Sequence, residues 1–274
     1  MDLSFYKYKN LFLSGCPGLS MRKDALSLAK QMLNYDRNLF THPDFLLIER
    51  SEKKTLGIED SNRMISRVAI RPALAEKHII VIDGINFMTV QAQNKLLKLL
   101  EDADNVVVIA ISYEEKDVLD TIISRLSIVR YEPLTYDAFC AELPAGKTDS
   151  VLLFNMTGGC PGLCDEMLPF VPMFKSVQAA INSGKRENLL PSLHLLKEKD
   201  TNAITASNYI PQMIHFIQTC FYSELDKVFT GCSPYSASQI STIIMQLQKS
   251  LNICRFPSYT KDNFFQSIMD VIET

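Results

Sequence analysis

The chain has 274 residues, 47% hydrophobic and 22% charged, with Gly 10 and Pro 12. This composition excludes a disordered or collagen-like polymer, and at about 150 residues per domain the length suggests roughly two domains. Lys plus Arg is 28 against Asp plus Glu 31, a formal net charge of −3. The basic excess of a free-standing nucleic-acid binder is missing, so any DNA contact is local or delegated to partners.

No apolar run reaches the about 18 residues of a membrane span. Residues 201–223 lack charged side chains apart from His215, but Asn, Gln, Thr and Pro recur through them. The N-terminus, MDLSFYKYKNLFLSG, lacks the long apolar stretch and small-residue cleavage site of a signal peptide. A cytoplasmic protein is expected. The seven cysteines, at 16, 140, 160, 164, 220, 232 and 254, are odd in number and scattered. Only Cys160 and Cys164 are close together, whereas zinc needs about four converging ligands. Reduced, buried thiols and no bound metal are expected.

The segment NLFLS at 10–14 reads as a buried strand that ends in Gly15-Cys16-Pro17-Gly18. Residues 24–33 space Ala25, Leu28, Ala29 and Met32 at helical intervals. After His42-Pro43-Asp44, FLLIE reads as a second strand. Residues 58–71 read as a helix with Ile58, Met64, Ile65 and Val68 inward, ended near Pro72. Ile79–Ile82 are continuously apolar and β-branched, as in a parallel strand buried on both faces, with Asp83 at its C-terminal end. Thr89–Glu101 is the strongest helix, and Val106–Ile111 another buried strand. A short helix at 117–124 and a strand at 126–131 follow. Strand–helix repetition argues a parallel α/β sheet.

After Pro133 the pattern changes. Residues 135–168 read as short helices around Gly158-Gly159-Cys160-Pro161-Gly162. Beyond Lys175 the apolar residues recur at helical spacing, punctuated by Pro191, Pro211, Pro234 and Pro257. The expected organisation is an α/β domain over 1–132, a small helical domain over 133–170 and a helical domain over 171–274. Ile210, Ile214, Ile217, Ile243, Ile244 and Leu247 make the last of these a candidate for oligomerisation, with a self-contained helical bundle as the alternative.

The first strand–turn–helix sits where a phosphate loop would. That loop needs G-x-x-x-x-G-K-[ST]. Here Gly15 is present, but Ser20 replaces the second glycine, Met21 the lysine and Arg22 the hydroxyl that holds Mg²⁺. Arg22 and Lys23 read as a solvated helix start, with a weak phosphate contact as the alternative. Asp83 stands where a Walker B carboxylate would, but Gly84 follows it instead of a water-activating acid. With no phosphate-loop chemistry beside it, Asp83 reads as a carboxylate hydrogen-bonded at a strand–loop junction. His42, His78, His194 and His215 form no usable pattern.

Several motifs in order resemble one family. IIVIDGINFMTVQAQNKLLKLLED followed by VVVIAISYEEKDVLDTIISRLSIVRYEPL is similar to the AAA+ core of bacterial DNA polymerase III clamp-loader subunits, most closely the delta-prime type. Asn94–Asp102 matches the N-A-L-L-K-x-L-E-E helix of that family, and Leu119–Leu126 its L-x-x-T-I-x-S-R-C helix. His42-Pro43-Asp44, Gly57-Ile58-Glu59-Asp60 and the Gly159-Cys160-Pro161-Gly162 turn also resemble it. The resemblance covers about residues 10–165. The departures are an erased phosphate loop, no zinc-ligand cysteines between Lys30 and His42, Ala103-Asp104 for Pro-Pro, Leu126 for the Cys of S-R-C, and Leu163 for a sensor arginine.

The resemblance implies an AAA+ P-loop-NTPase-like parallel sheet with helices on both faces, then a small helical lid and an all-helical collar. It implies no intrinsic enzyme activity, no cofactor and no metal. Arg125 would be an arginine finger acting in trans on a neighbour's ATP site, with Ser124 supporting it. Read locally, Arg125 would instead pair with a carboxylate such as Asp120. The implied partners are the gamma/tau and delta subunits, and through the complex the sliding clamp and primer–template DNA. Lys95, Lys98 and Glu101 read as a solvated face, with a weak DNA-phosphate contact from Lys95 or Lys98 as the alternative. The rival function is a degenerate AAA+ scaffold, or a nucleotide-sensing AAA+ protein, outside the clamp loader.

Overall fold

The computed structural model describes residues 3–50, 55–143, 149–184 and 203–253. His194, Pro191, Pro257 and Cys254 lie outside them, as does the side chain of Ile210. The chain divides into two compact units, Met1–Pro133 and Leu134–Thr274. The expected boundary between 170 and 171 lies inside the second.

The first unit alternates strand and helix. Its strands are β1 (Leu11–Ser14), β2 (Phe45–Glu49), β3 (His78–Asp83), β4 (Val106–Ser112) and β5 (Ser127–Arg130). They form one sheet in the order β2-β3-β4-β1-β5, with every neighbouring pair parallel. Its helices are α1 (Met21–Leu33), α2 (Ile58–Val68), α3 (Val90–Asp102) and the single turn α4 (Asp120–Ile123). The expected helix at 117–124 is thus shorter, with a 3-10 turn at Glu115–Asp117 before it.

Strand side chains alternate between the two faces of the sheet. On one face Leu11, Leu13, Ile79, Val81, Val107, Ile109 and Ile111 pack with Met21, Ala25, Leu28, Ala29 and Met32 of α1. On the other Phe12, Ile80, Ile82, Val108 and Ala110 pack with Met64 of α2, Ala92, Leu96 and Leu99 of α3, and Ile122 of α4. This explains the unbroken apolar runs in β3 and β4: both faces are covered. Each fully buried side chain of this size contributes about 1.5–3 kcal/mol.

Helix α2 corrects one expectation. It buries Ser61 and Met64, whereas Ile58 and Ile65 are exposed. The helix packs closely on α3 through the small Ser61, whose hydroxyl donates to the Ala92 carbonyl at 3.0 Å. The stripe centred on 61 and 64 therefore faces inward, and 58 and 65 turn away. The following loop is fixed from beneath. Asp44 is 1% exposed and its carboxylate accepts the backbone N–H groups of Ala73, Leu74 and Ala75 at 2.7, 2.7 and 2.9 Å.

The second unit is helical in its described residues: α5 (Tyr136–Glu142), α6 (Ser150–Thr157), α7 (Cys164–Met167), α8 (Val171–Ser183), α9 (Ala203–Phe229) and α10 (Ala237–Ile253). Helix α9 runs through Pro211, so that proline does not punctuate as expected; Pro234 does, between α9 and α10. Phe174 of α8 meets Phe216 of α9 edge to face, with ring centroids 4.7 Å apart. Ile214, Ile217, Ile243 and Leu247 are buried inside the unit. They are the core of this bundle and not an outward-facing contact surface.

Cys160, Cys164 and Cys220 are buried, but Cys16 and Cys232 are exposed, against the expectation of buried thiols throughout. Among the described residues no group of three or more His, Cys, Asp or Glu could hold a metal ion, and no helix is long and apolar enough to cross a membrane.

Candidate functional site

Open α/β sheets place ligands at the carboxyl ends of their strands. Here that edge carries the turn after β1, the acidic ends of β2 and β3, and Tyr113 after β4. The Gly15 N–H donates to the Ser112 carbonyl at 3.2 Å, and Tyr131 N–H donates to the Ser14 carbonyl at 2.7 Å. The turn is thereby held between its neighbours. A Cβ on Gly15 would lie 2.8 Å from the Tyr131 carbonyl oxygen and 2.9 Å from its Cβ, so glycine is required by this approach. The Tyr131 ring is buried and its hydroxyl donates to Asp24 at 2.9 Å, in the first turn of α1. Burial, then the charge and hydrogen bond of Asp24, push this phenol well above its usual range.

Arg22 is not a solvated helix start. Its guanidinium bridges two carboxylates: Nη1 donates to Asp83 Oδ2, and Nη2 lies 2.5 Å from Glu49 Oε2. The other oxygen of Asp83 accepts the Tyr113 hydroxyl at 2.7 Å. Glu49 and Asp83 are register partners on the parallel strands β2 and β3, so their carboxylates are neighbours by construction. Burial opposes the charged guanidinium, but its hydrogen bond to Glu49 and the charge of Asp83 outweigh it and hold Arg22 above its ordinary range. Burial and the Asp83 charge likewise raise Tyr113 far above the usual phenol range. Arg50 lies over the Phe87 ring, 3.9 Å from its centroid.

These residues do not fit a magnesium nucleotide. Both oxygens of Asp83 are engaged by protein donors. The position that would hold the metal hydroxyl is a guanidinium, and the one that would hold the phosphate lysine is the fully buried Met21. Gly84 cannot be read as a lost acid awaiting restoration. Its φ is +87°, and a Cβ there would lie 2.6 Å from the Phe87 ring. Sequence reasoning singled out Arg22 and Asp83 separately but missed Glu49 and Tyr113. The signal was present in FLLIE and HIIVID, two buried strands that both end in an acid.

Ser124 and Arg125 lie elsewhere on the unit, after α4. Ile122 and Leu126 are buried and Ile123 is half-buried, whereas Ser124 and Arg125 are exposed. The Thr121 carbonyl accepts both the Ser124 hydroxyl, at 3.1 Å, and Arg125 Nη1, at 2.8 Å. Arg125 Nη2 is 2.6 Å from Glu101 Oε1 at the end of α3. The local partner is therefore Glu101 and not Asp120. Lys95 also has a local partner, donating to Asn62 Oδ1 at 2.6 Å, while Lys98 is exposed.

Residues 23–135 match the family model described as DNA polymerase III, delta subunit. Over that stretch, less than half of the chain, the sequence is similar to the DNA polymerase III delta-subunit family. It is similar in structure to a DNA polymerase III gamma subunit-related protein of Thermotoga maritima, with TM-score 0.56, 16% identity, and 97% of this chain and 95% of that one covered. At that identity the likeness is one of fold. Bacillus subtilis DNA clamp loader delta protein aligns over 97% of this chain and 96% of its own, with TM-score 0.35 and 11% identity. The Thermotoga maritima RuvB Holliday junction branch migration motor aligns over 94% and 79%, with TM-score 0.44 and 12% identity. No curated protein matches the chain significantly. The parallel sheet with helices on both faces thus has an AAA+-like fold, and the described residues of the C-terminal unit are helical.

Proposed function

We propose that this clamp-loader AAA+ chain serves as the delta-prime subunit of the DNA polymerase III clamp loader. In this reading it binds no ATP, has no activity of its own and works in the cytoplasm as a fixed member of a hetero-oligomer. Its partners are the gamma/tau and delta subunits. Together they open the sliding clamp and place it on primer–template DNA. The observation that supports the reading is Arg22, at the position of the metal-holding hydroxyl, bridging Asp83 and Glu49, with Asp83 also accepting from Tyr113.

In the same proposal Arg125 enters the ATP site of a neighbouring subunit, with Ser124 fixing the turn that presents it. A guanidinium suits this task because it keeps its charge and can span two phosphate oxygens. Such a group can contribute about 10³–10⁵ in rate to phosphoryl transfer. The outward turn after α4 and the single-acceptor anchoring at Thr121 support the assignment. The exposed Glu101 partner would exchange for phosphate on assembly. The helices of residues 171–274 would join the partners, using outward side chains such as Tyr222, Phe229 and Met245 rather than the buried isoleucines.

Affinity purification of the full chain from its source cells tests the reading. Stoichiometric recovery of the gamma/tau and delta subunits is the expected result. Recovery of a motor or scaffold assembly without them would reject it.

A further inference from the structure

Two carboxylates meet at the end of the sheet with nothing in the backbone to neutralise them. Glu49 and Asp83 are paired in register on β2 and β3, and the Asp83 side chain is only 9% exposed. Like charges directly opposite on neighbouring strands destabilise a sheet. Such a pair needs a cation, and in a nucleotide-binding core a metal arriving with its ligand would serve. Here the cation is part of the chain.

We infer that Arg22 is a built-in counter-cation that takes the metal's place between Asp83 and Glu49 and ties the start of α1 to β2 and β3 permanently. The inference deepens the nucleotide-free reading proposed above and rests on it. Three features carry it. The guanidinium forks, one nitrogen to each carboxylate, which a point charge could not do with the same geometry. The remaining Asp83 oxygen accepts from Tyr113, so each oxygen of the carboxylate has a protein donor. Finally, Arg22 stands in the first turn of α1, directly after the buried Met21 that anchors that helix against the sheet.

The consequence is conformational. In a core whose cation comes and goes with nucleotide, the contact between α1 and the ends of β2 and β3 changes with the ligand. In this chain the cation is a side chain, so it does not leave with a ligand. The nucleotide edge has become a fixed brace.

Thermal unfolding of the full chain tests this with Arg22→Ala, Asp83→Asn, the double variant and Arg22→Lys. Arg22→Ala is expected to lower the melting temperature by on the order of 5 °C. Asp83→Asn added to it should cost little more, because the two residues act through one interaction. Arg22→Lys should fall between wild type and Arg22→Ala, and it carries the test should Arg22→Ala fail to fold. Millimolar guanidinium ion should raise the melting temperature of Arg22→Ala but not of the double variant. Additive losses, or an Arg22→Ala chain that melts like wild type, would overturn the inference while leaving the nucleotide-free reading intact. A wild-type melting temperature raised by Mg²⁺–ATP would overturn both.

Discussion

Arg125 and Glu101 form an exposed ion pair across 24 residues of sequence, Nη2 to Oε1 2.6 Å, at the surface of the first unit. An exposed pair of this kind is worth about 0.2–1 kcal/mol. It cannot by itself account for an arginine that also spends a second nitrogen on the Thr121 carbonyl. Arg125→Ala should therefore shift the melting temperature of the free chain by no more than about 2–4 °C. In the reconstituted clamp loader the same variant should lower DNA-stimulated ATP turnover by at least about tenfold. Glu101→Gln removes the same pair and should leave turnover near wild type. If the two variants behave alike in turnover, with the mutant chains present in the complex, the finger role is wrong.

Asp44 supplies a pH-dependent part of the stability. Burial raises its pKa, but the three backbone N–H donors of Ala73, Leu74 and Ala75 and the nearby His78 outweigh that, leaving it below the ordinary 3.8. A carboxylate whose folded pKa is depressed stabilises the fold above the unfolded value, and that stabilisation is lost as pH falls through the folded one. Asp44→Asn should thus cost about 2–4 kcal/mol at pH 7. The gap from wild type should narrow as pH drops below about 4. Urea unfolding at pH 7 and pH 3 measures this; an equal gap at both values would reject the assignment.

Gly15→Ala tests the closed turn. The added methyl would meet the Tyr131 backbone, which cannot swing away as a flexible side-chain end could. Relief requires β1 and β5 to separate where Tyr131 N–H bonds the Ser14 carbonyl. A loss of about 1–3 kcal/mol is expected. Circular dichroism of a variant that melts with wild type would show that the turn is looser than described.

The cysteines should separate by reactivity in the native chain. Cys16 and Cys232 are exposed, whereas Cys160, Cys164 and Cys220 are buried. Burial and then the charge of Glu224 push the Cys220 thiol up to about 12, which leaves almost no thiolate near neutral pH. Iodoacetamide at pH 8 followed by peptide mass spectrometry should label Cys16 and Cys232 first. Labelling of the three buried thiols should require unfolding; early modification of Cys220 would contradict its packing.

The sequence by itself determined the elements and their class. Continuous apolar, mostly β-branched runs at 79–82 and 106–111 read as strands covered on both faces, and the helices between them suit parallel crossovers. That Ser20, Met21 and Arg22 are not the residue types of a phosphate loop was equally legible. Tertiary structure alone decided what replaced it. Arg22 and Asp83 are 61 residues apart, and Glu49 joins them only through the register of β2 against β3, which is set by packing over the whole sheet. The same holds for Ile58 and Ile65, which have the right spacing for a buried stripe but lose it to Ser61, the smaller side chain that lets α2 approach α3. Local pattern fixes which face of a segment is apolar; which neighbour that face meets, and which charge finds which, depends on contacts between segments that no single window contains.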